Sequence, residues 1–259
     1  MRTARRSPLA RVRAAAIAGT LAAALVLTGC SGDDEDGGKG DSAADLGGDP
    51  ISTADFVDVY GAALENATTA RFTMTAEGGA GTSAEGVMDF STEPPATDLT
   101  LTDDNTGQSQ ELVMIDQTLF VKTPKGGYLS TPLGESGLSS GGLDPAGLLD
   151  AFGDAVIEAS DLGLDEVDGE TFEHYRVLLD GPKITNSEGS DGASDEASPE
   201  VPSTILLDVY LGDGLLRQVS LDLGEESGKV TVKYFDWGKP SAVKAPSKNQ
   251  IEKSPGAKN

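Results

Sequence analysis

Short runs in which apolar and polar residues alternate one by one dominate this chain from Phe72 onward. Phe72, Met74 and Ala76 alternate with threonines in the first of these runs. A period of two is typical of a strand with one buried face, because successive side chains point to opposite faces. Similar runs follow at residues 88–90, 99–102, 112–115, 119–121, 164–167, 171–179, 204–211, 215–223 and 229–237. The sequence therefore predicts about nine or ten strands.

Turn residues separate these runs, and three of the turns indicate tight hairpins. Asp116, Gln117 and Thr118 lie between two apolar runs, and the pairs Asp168-Gly169 and Asp213-Gly214 each divide two longer runs. Asp-Gly pairs favour the two-residue turns that join antiparallel strands. We therefore expect neighbouring strands of the chain to pair with each other.

Two segments have the spacing of a helix instead. Ser52 and Thr53 are capping residues, and the apolar residues after them predict a helix over about 54–67. Asp144 and Pro145 form a second start signal, followed by the apolar stripe Leu148, Leu149, Phe152, Val156 and Ala159. A parallel α/β sheet needs a helix between successive strands, and this order lacks them. We predict the α+β class: a strongly curved antiparallel sheet, or half-barrel, wrapped on two main helices.

The N-terminal segment has the pattern of an export signal. Five arginines lie within the first 13 residues, and residues 14–27 are then uncharged. Fourteen residues are too few to span a bilayer but suit a signal peptide. The boundary Leu27-Thr28-Gly29-Cys30 resembles the bacterial lipobox. We expect residues 1–29 to be removed and Cys30 to anchor the chain on the extracytoplasmic face of the cell membrane. The alternative is an ordinary secretory signal that ends near a cysteine.

Composition divides the rest of the chain. Residues 30–50 are rich in Gly, Ser and Asp, which predicts a disordered acidic tether after Cys30. We expect a single domain over 51–238, with an acidic, Ser-rich disordered insertion at about 183–203. Residues 239–259 contain Pro and Lys without apolar periodicity, so they are predicted to form a flexible C-terminal tail.

Charge and residue usage exclude several classes of function. The chain has a formal net charge of -24, and the five charges before Cys30 are all basic. Such an acidic protein lacks the basic surface that nucleic acids require. One His and one Cys cannot form a zinc site, and we expect no metal and no cofactor. The segment 137–141 matches the Gly-x-Ser-x-Gly pattern, but it lies in a Gly/Ser/Pro-rich loop, and His174 is the one available base. We therefore expect no enzyme.

Several local motifs, taken together, resemble a known group. They are the lipobox, the opening helix, the Asp144-Pro145 helix start, Val167-Asp168-Gly169 followed by His174-Tyr175-Arg176-Val177, and the ending Phe235-Asp236-Trp237-Gly238-Lys239-Pro240. Over about 52–246 the chain resembles actinobacterial lipoproteins of the LppX/LprG type, within the LolA/LolB-like group of lipid and lipoprotein carriers. The resemblance implies a curved antiparallel sheet wrapped on helices around an apolar cavity for acyl chains. The insertion at about 183–203 has no counterpart in that pattern.

The apolar residues of four successive strands are the candidate lining of such a cavity. They share one parity within each run: Phe72, Met74, Met88, Phe90, Leu99, Leu101, Val113 and Ile115. Taken singly, each of these residues is more simply part of a packed core. The favoured interpretation is a membrane-anchored protein that carries a lipid or lipidated ligand across the cell envelope. A membrane transporter is a candidate partner of such a carrier. The alternative is a lipid-anchored interaction or sensor domain with a solid core, and a hydrolase is the least favoured.

Overall fold

Antiparallel strands make up most of the described chain. The computed structural model describes residues 46–65, 67–78, 81–133, 145, 147, 153–187, 202–224, 228–240 and 242–252. The strands are β1 (Asp49–Ile51), β2 (Thr69–Glu77), β3 (Thr82–Asp89), β4 (Ala96–Asp103), β5 (Gln108–Ile115), β6 (Thr118–Lys122), β7 (Tyr128–Pro132), β8 (Val156–Val167), β9 (Glu170–Asp180), β10 (Thr204–Gly212), β11 (Leu215–Asp222) and β12 (Lys229–Phe235). Two helices have full bounds, α1 (Thr53–Glu65) and α2 (Gly181–Ser187). All of these elements belong to one compact unit.

The strands form one large, curved, open sheet. Their order is β1-β8-β9-β10-β11-β12-β2-β3-β4-β5-β6-β7, and all eleven neighbouring pairs are antiparallel. This confirms the predicted α+β class and antiparallel pairing. The described residues contain twelve strands, however, more than the nine or ten predicted. The two edge strands, β1 and β7, were not predicted because each is short and has no run of alternating apolar residues.

The three predicted hairpin turns are present. Asp116 and Gln117 have φ values of 51° and 57° between β5 and β6. The pairs Asp168-Gly169 and Asp213-Gly214 also have positive φ at both residues. Two consecutive left-handed residues give the turn whose twist matches that of the flanking strands. These turns therefore fix the registers of the β5–β6, β8–β9 and β10–β11 pairs.

Helix α1 confirms the first predicted helix with a shift of one or two residues. Ser52 caps it: the Ser52 Oγ accepts a hydrogen bond of 3.1 Å from the Asp55 backbone N–H. Phe56, Tyr60 and Ala63 are the buried residues of its apolar face. Their spacing of three and four places them along one side of the helix, which packs against β8 and β11.

The second predicted helix is wrong over its last residues. Pro145, Gly147 and Gly153 are helical, but β8 begins at Val156. Val156 and Ala159, assigned to the apolar stripe of that helix, belong instead to a strand that pairs with β9. The spacing of three residues between Val156 and Ala159 is compatible with a helix. Pairing of β8 with β9 along its length favours the strand instead.

Three predicted boundaries also move. Strand β1 pairs Asp49 with Asp161 of β8, so the domain begins before the predicted end of the tether. Helix α2 takes up the first residues of the predicted insertion, through Ser187, and residues 188–201 lie outside the described part. The tail is not detached, because Val243 is buried and Ile251 pairs with Tyr128 of β7.

Candidate functional site

The sheet has two faces, and α1 identifies the inner one. Cross-strand partners lie on the same face, so the register carries a face from strand to strand. Phe72 pairs with Gly86, Gly86 with Leu99, and Leu99 with Leu112. Phe72, Leu99 and Leu112 share a buried cluster with Phe56 and Tyr60 of α1. We call this side of the sheet the inner face and the opposite side the outer face.

Six of the eight candidate lining residues belong to the inner face cluster. Phe72, Met88 and Leu99 are buried in it, and Met74, Phe90 and Leu101 are half-buried against it. Val113 and Ile115 do not belong to it, which corrects the predicted grouping. They join a separate cluster with Ala96 and Phe120 on the outer face.

The error at β5 has a simple physical reason. Residues 112–115 are four consecutive apolar residues, so alternation gives no parity there. The register shows that Leu112 pairs with Leu99 and Met114 with Thr97, which places the even-numbered residues on the inner face. A shift of one residue moves every side chain of a strand to the other face.

A set of apolar side chains crosses the inner face, and each is half-buried except the one on β3, which is fully buried. Each of the five adjacent strands β2 to β6 contributes one residue to it. We call this set the inner strip; it consists of Met74, Met88, Leu101, Met114 and Val121. It contains all three methionines that follow Met1. Methionine is flexible and polarizable, and it suits apolar surfaces that adapt to different shapes.

An aromatic group lies beside the inner strip. The Phe90 ring stacks on Trp237 with a centroid distance of 5.5 Å, and Tyr234 lies 6.0 Å from the same indole. The Trp237 Nε1–H donates a 2.9 Å hydrogen bond to the Leu216 carbonyl oxygen. This bond fixes the orientation of the indole. The aromatic group therefore bounds the inner strip next to Phe90, at the end of β3.

Two pockets touch these strands, and they differ in size and character. One has a volume of about 10 Å³, near that of a single water molecule, and is lined by Pro94, Pro95, Met114 and Leu133 among others. The other has about 250 Å³ and lies among polar and charged residues such as Arg71, Glu85 and Asp98. Neither of them is an apolar cavity large enough for an acyl chain.

His174 belongs to a polar cluster away from the inner strip. Its side chain is buried, and its Nε2 lies 2.9 Å from Asp208 Oδ1 while its Nδ1 lies 3.3 Å from Asp165 Oδ2. The ring also stacks on Tyr210 at 4.2 Å. A carboxylate lies against each ring nitrogen, so the described contacts of His174 give this residue a structural role.

Asp208 is the centre of this cluster. It accepts hydrogen bonds from His174 and from the Arg176 Nε, which lies 2.8 Å away. Burial by itself raises the pKa of Asp208, but the hydrogen bonds from His174 and Arg176 outweigh burial and hold that pKa below its ordinary value. The cluster therefore ties β9 to β10 through an ionised carboxylate.

Some predicted sites lie outside the described residues. Cys30 and the Gly-x-Ser-x-Gly segment at 137–141 are among them. Across the described part of the chain, no helix is long and apolar enough to cross a bilayer. Nor do the described side chains contain a group of three or more His, Cys, Asp or Glu that could hold a metal ion.

Comparison with solved structures identifies the fold. No family model and no curated protein matches the sequence. The lipoprotein LppX of Mycobacterium tuberculosis matches with a TM-score of 0.51 and 17% identity, covering 74% of this chain and 100% of its own. LprF of Mycobacterium bovis matches with a TM-score of 0.52 and 15% identity, covering 77% of this chain and 100% of its own. The chain therefore has the fold of the LppX/LprG type of lipoprotein.

Proposed function

We propose that this protein is a lipid-anchored carrier that shields an acyl chain of a lipid or lipidated molecule against the inner strip. The inner strip carries the proposal, because its apolar residues come from five adjacent strands and all of them except the buried Met88 are half-buried. At about 4.8 Å between strands, it extends roughly 19 Å across the sheet. That distance is comparable with the length of a long acyl chain.

The position of α1 supports the same assignment. Helix α1 packs against β8 and β11, on the other half of the sheet. Met74, Leu101, Met114 and Val121 remain half-buried. Exposed apolar surface of this kind is costly in water and is typical of a binding surface. An acyl chain that covers these side chains removes that cost.

A solid interaction or sensor domain is the second candidate. The volume of about 10 Å³ for the pocket beside Met114 favours it, as does the nearly complete burial of Phe72 and Met88. In that case the inner strip is the rim of a packed core, and the acidic surface meets a protein partner.

Substitution by tryptophan on one strand separates the two candidates. Leu101→Trp adds volume on the inner strip, and Thr100→Trp adds the same kind of side chain to the outer face of the same strand. For a carrier, Leu101→Trp should weaken binding of a fluorescent fatty acid at least tenfold, while Thr100→Trp leaves it unchanged. Both variants should unfold near the temperature of the unaltered protein.

Other outcomes contradict the carrier. If the unaltered protein does not bind the probe and Leu101→Trp is strongly destabilised, the strip is part of a close-packed core. Overpacking such a core costs about 1–3 kcal/mol. If both tryptophan variants weaken the probe equally, the probe does not bind at the inner strip.

The anchor at Cys30 is a separate part of the proposal. Cys30→Ala should abolish incorporation of a fatty-acid label into the protein, because the thiol is the predicted acceptor. Two acyl chains make membrane attachment effectively permanent. Retention of the label in Cys30→Ala would contradict the lipobox assignment while leaving the inner strip untouched.

A further inference from the structure

The C-terminal segment 242–252, which we call the strap, adds to the edge of the sheet. The Tyr128 backbone N–H donates to the Gln250 carbonyl oxygen at 2.8 Å. The Glu252 N–H donates to the Tyr128 carbonyl oxygen, also at 2.8 Å. Ile251 is thereby the parallel partner of Tyr128. The strap thus satisfies both backbone groups of the first residue of β7.

The loop between β6 and β7 is fitted to the strap. The Thr123 hydroxyl donates a 2.8 Å hydrogen bond to Glu252 Oε1. A Cβ atom at Gly127 would lie 2.5 Å from that oxygen and 2.8 Å from Glu252 Cγ. A glycine at 127 therefore allows the Glu252 side chain to approach the loop this closely.

The strap also covers an apolar patch on the outer face. Val243 is 9% exposed and shares a cluster with Ala96, Val113 and Phe120, three buried residues of β4, β5 and β6. Ile251 packs against the same cluster. Removing the strap would expose this patch to water.

The remaining edge of β7 has little capacity to pair. Outward backbone groups alternate along a strand, so Tyr128, Ser130 and Pro132 face away from β6. The strap occupies Tyr128, and Pro132 has no N–H to donate. Short edges, prolines and covering segments are common protections against edge-to-edge pairing.

We propose that the strap is an edge cap that prevents β7 and the outer apolar patch from joining a second copy of this chain. Without the strap, two identical β7 edges can pair antiparallel about a twofold axis, and the exposed patches can meet beside them. The proposal does not depend on acyl-chain binding, since the strap lies on the outer face.

Two truncations of the full chain test the cap. Deletion of residues 242–259 removes the strap, and deletion of residues 253–259 is the matched control that keeps it. With each protein purified in mild detergent, light scattering should give twice the protein mass for the first deletion and an unchanged mass for the second. Equal protein masses for both deletions and the unaltered chain would overturn the proposal.

Further variants keep the test decisive if the long deletion does not fold. Val243→Asp in the full chain places a charge in the outer patch and should release the strap. The protein mass should then double. Adding Ser130→Pro removes one of the two outward N–H groups of β7, the other being that of Tyr128, and should restore the single mass. In this unpaired double variant, amide exchange at Tyr128 should be at least tenfold faster than in the unaltered protein. Fast exchange at Tyr128 in the unaltered chain, or pairing that survives Ser130→Pro, would overturn the edge cap.

Discussion

The two halves of the inner face are built from the same alternation, but the strand side chains that are 0% exposed all lie in β9, β10 and β11. Under α1, Val177, Leu179, Val209 and Leu216 are 0% exposed. Across β2 to β6, Phe72, Met88 and Leu99 are also buried, but four residues of the inner strip remain half-buried. Alternation decides which face a side chain occupies, whereas the element packed above that face decides whether the side chain becomes core. The first half is therefore expected to stabilise the fold, and the second to remain available for a ligand.

The residue types also differ between the half under α1 and the inner strip. Valine and leucine predominate under α1, and they pack with well-defined rotamers. The inner strip has three methionines in five positions, and their side chains adapt to irregular partners. A close-packed half and an adaptable half should respond differently to loss of volume.

The largest effect is expected from truncation under α1. Leu179→Ala should lower the free energy of unfolding by about 2–5 kcal/mol, because it removes buried methyl groups and leaves a cavity. Urea unfolding of the variant and the unaltered protein measures this difference. A loss below about 1 kcal/mol would show that the half under α1 is loosely packed.

A smaller effect is expected at the polar cluster on the outer face of the same half. Asp208→Asn should lower the free energy of unfolding at pH 7 by about 1–2 kcal/mol, since a neutral amide accepts weaker hydrogen bonds from His174 and Arg176 than a carboxylate does. Urea unfolding at several pH values measures it.

The pH dependence of that difference has a definite sign. The pKa of Asp208 is held below its ordinary value in the folded state. Its contribution is therefore present above about pH 4 and is lost as the pH falls through the folded pKa. The gap between Asp208→Asn and the unaltered protein should narrow below about pH 4. A gap that is constant from pH 7 to pH 3 would contradict an ionised Asp208.

The smallest effect is expected at the inner strip. Leu101→Ala should cost about 1 kcal/mol without ligand, because a half-buried side chain has about half of its transfer free energy to lose. Urea unfolding of Leu101→Ala measures this loss of unfolding free energy, and the loss in Leu179→Ala is the matched comparison. Equal losses at the two leucines would remove the distinction between the halves.

Much of the fold could be predicted because local signals agreed with tertiary packing. The Ser52 cap, the spacing of Phe56 and Tyr60, and the Asp-Gly turns are local features that need no distant partner. Strands β1 and β7 lack such signals, since pairing with β8 and β6 alone defines them. The strap was missed for the same reason, because its apolar residues Val243 and Ile251 have no periodic neighbours.

The candidate site was predictable where alternation was strict. Thr73 separates Phe72 from Met74, and Thr100 separates Leu99 from Leu101, so the face of β2 and β4 could be assigned. The unbroken apolar run at 112–115 hid Met114 and led to Val113 and Ile115 instead. Only the register with β4 resolves that run, and register is a property of the pair and not of one strand.

Native mass spectrometry of the protein purified from its own membrane tests the acyl-chain site most directly. We expect a noncovalent complex that is heavier than the covalently lipidated chain alone. On denaturation, this complex should lose a lipid and leave the lipidated chain. Leu101→Trp should reduce the heavier species, and Thr100→Trp should retain it. A single species with the mass of the lipidated chain alone, identical in both variants, would contradict a ligand at the inner strip.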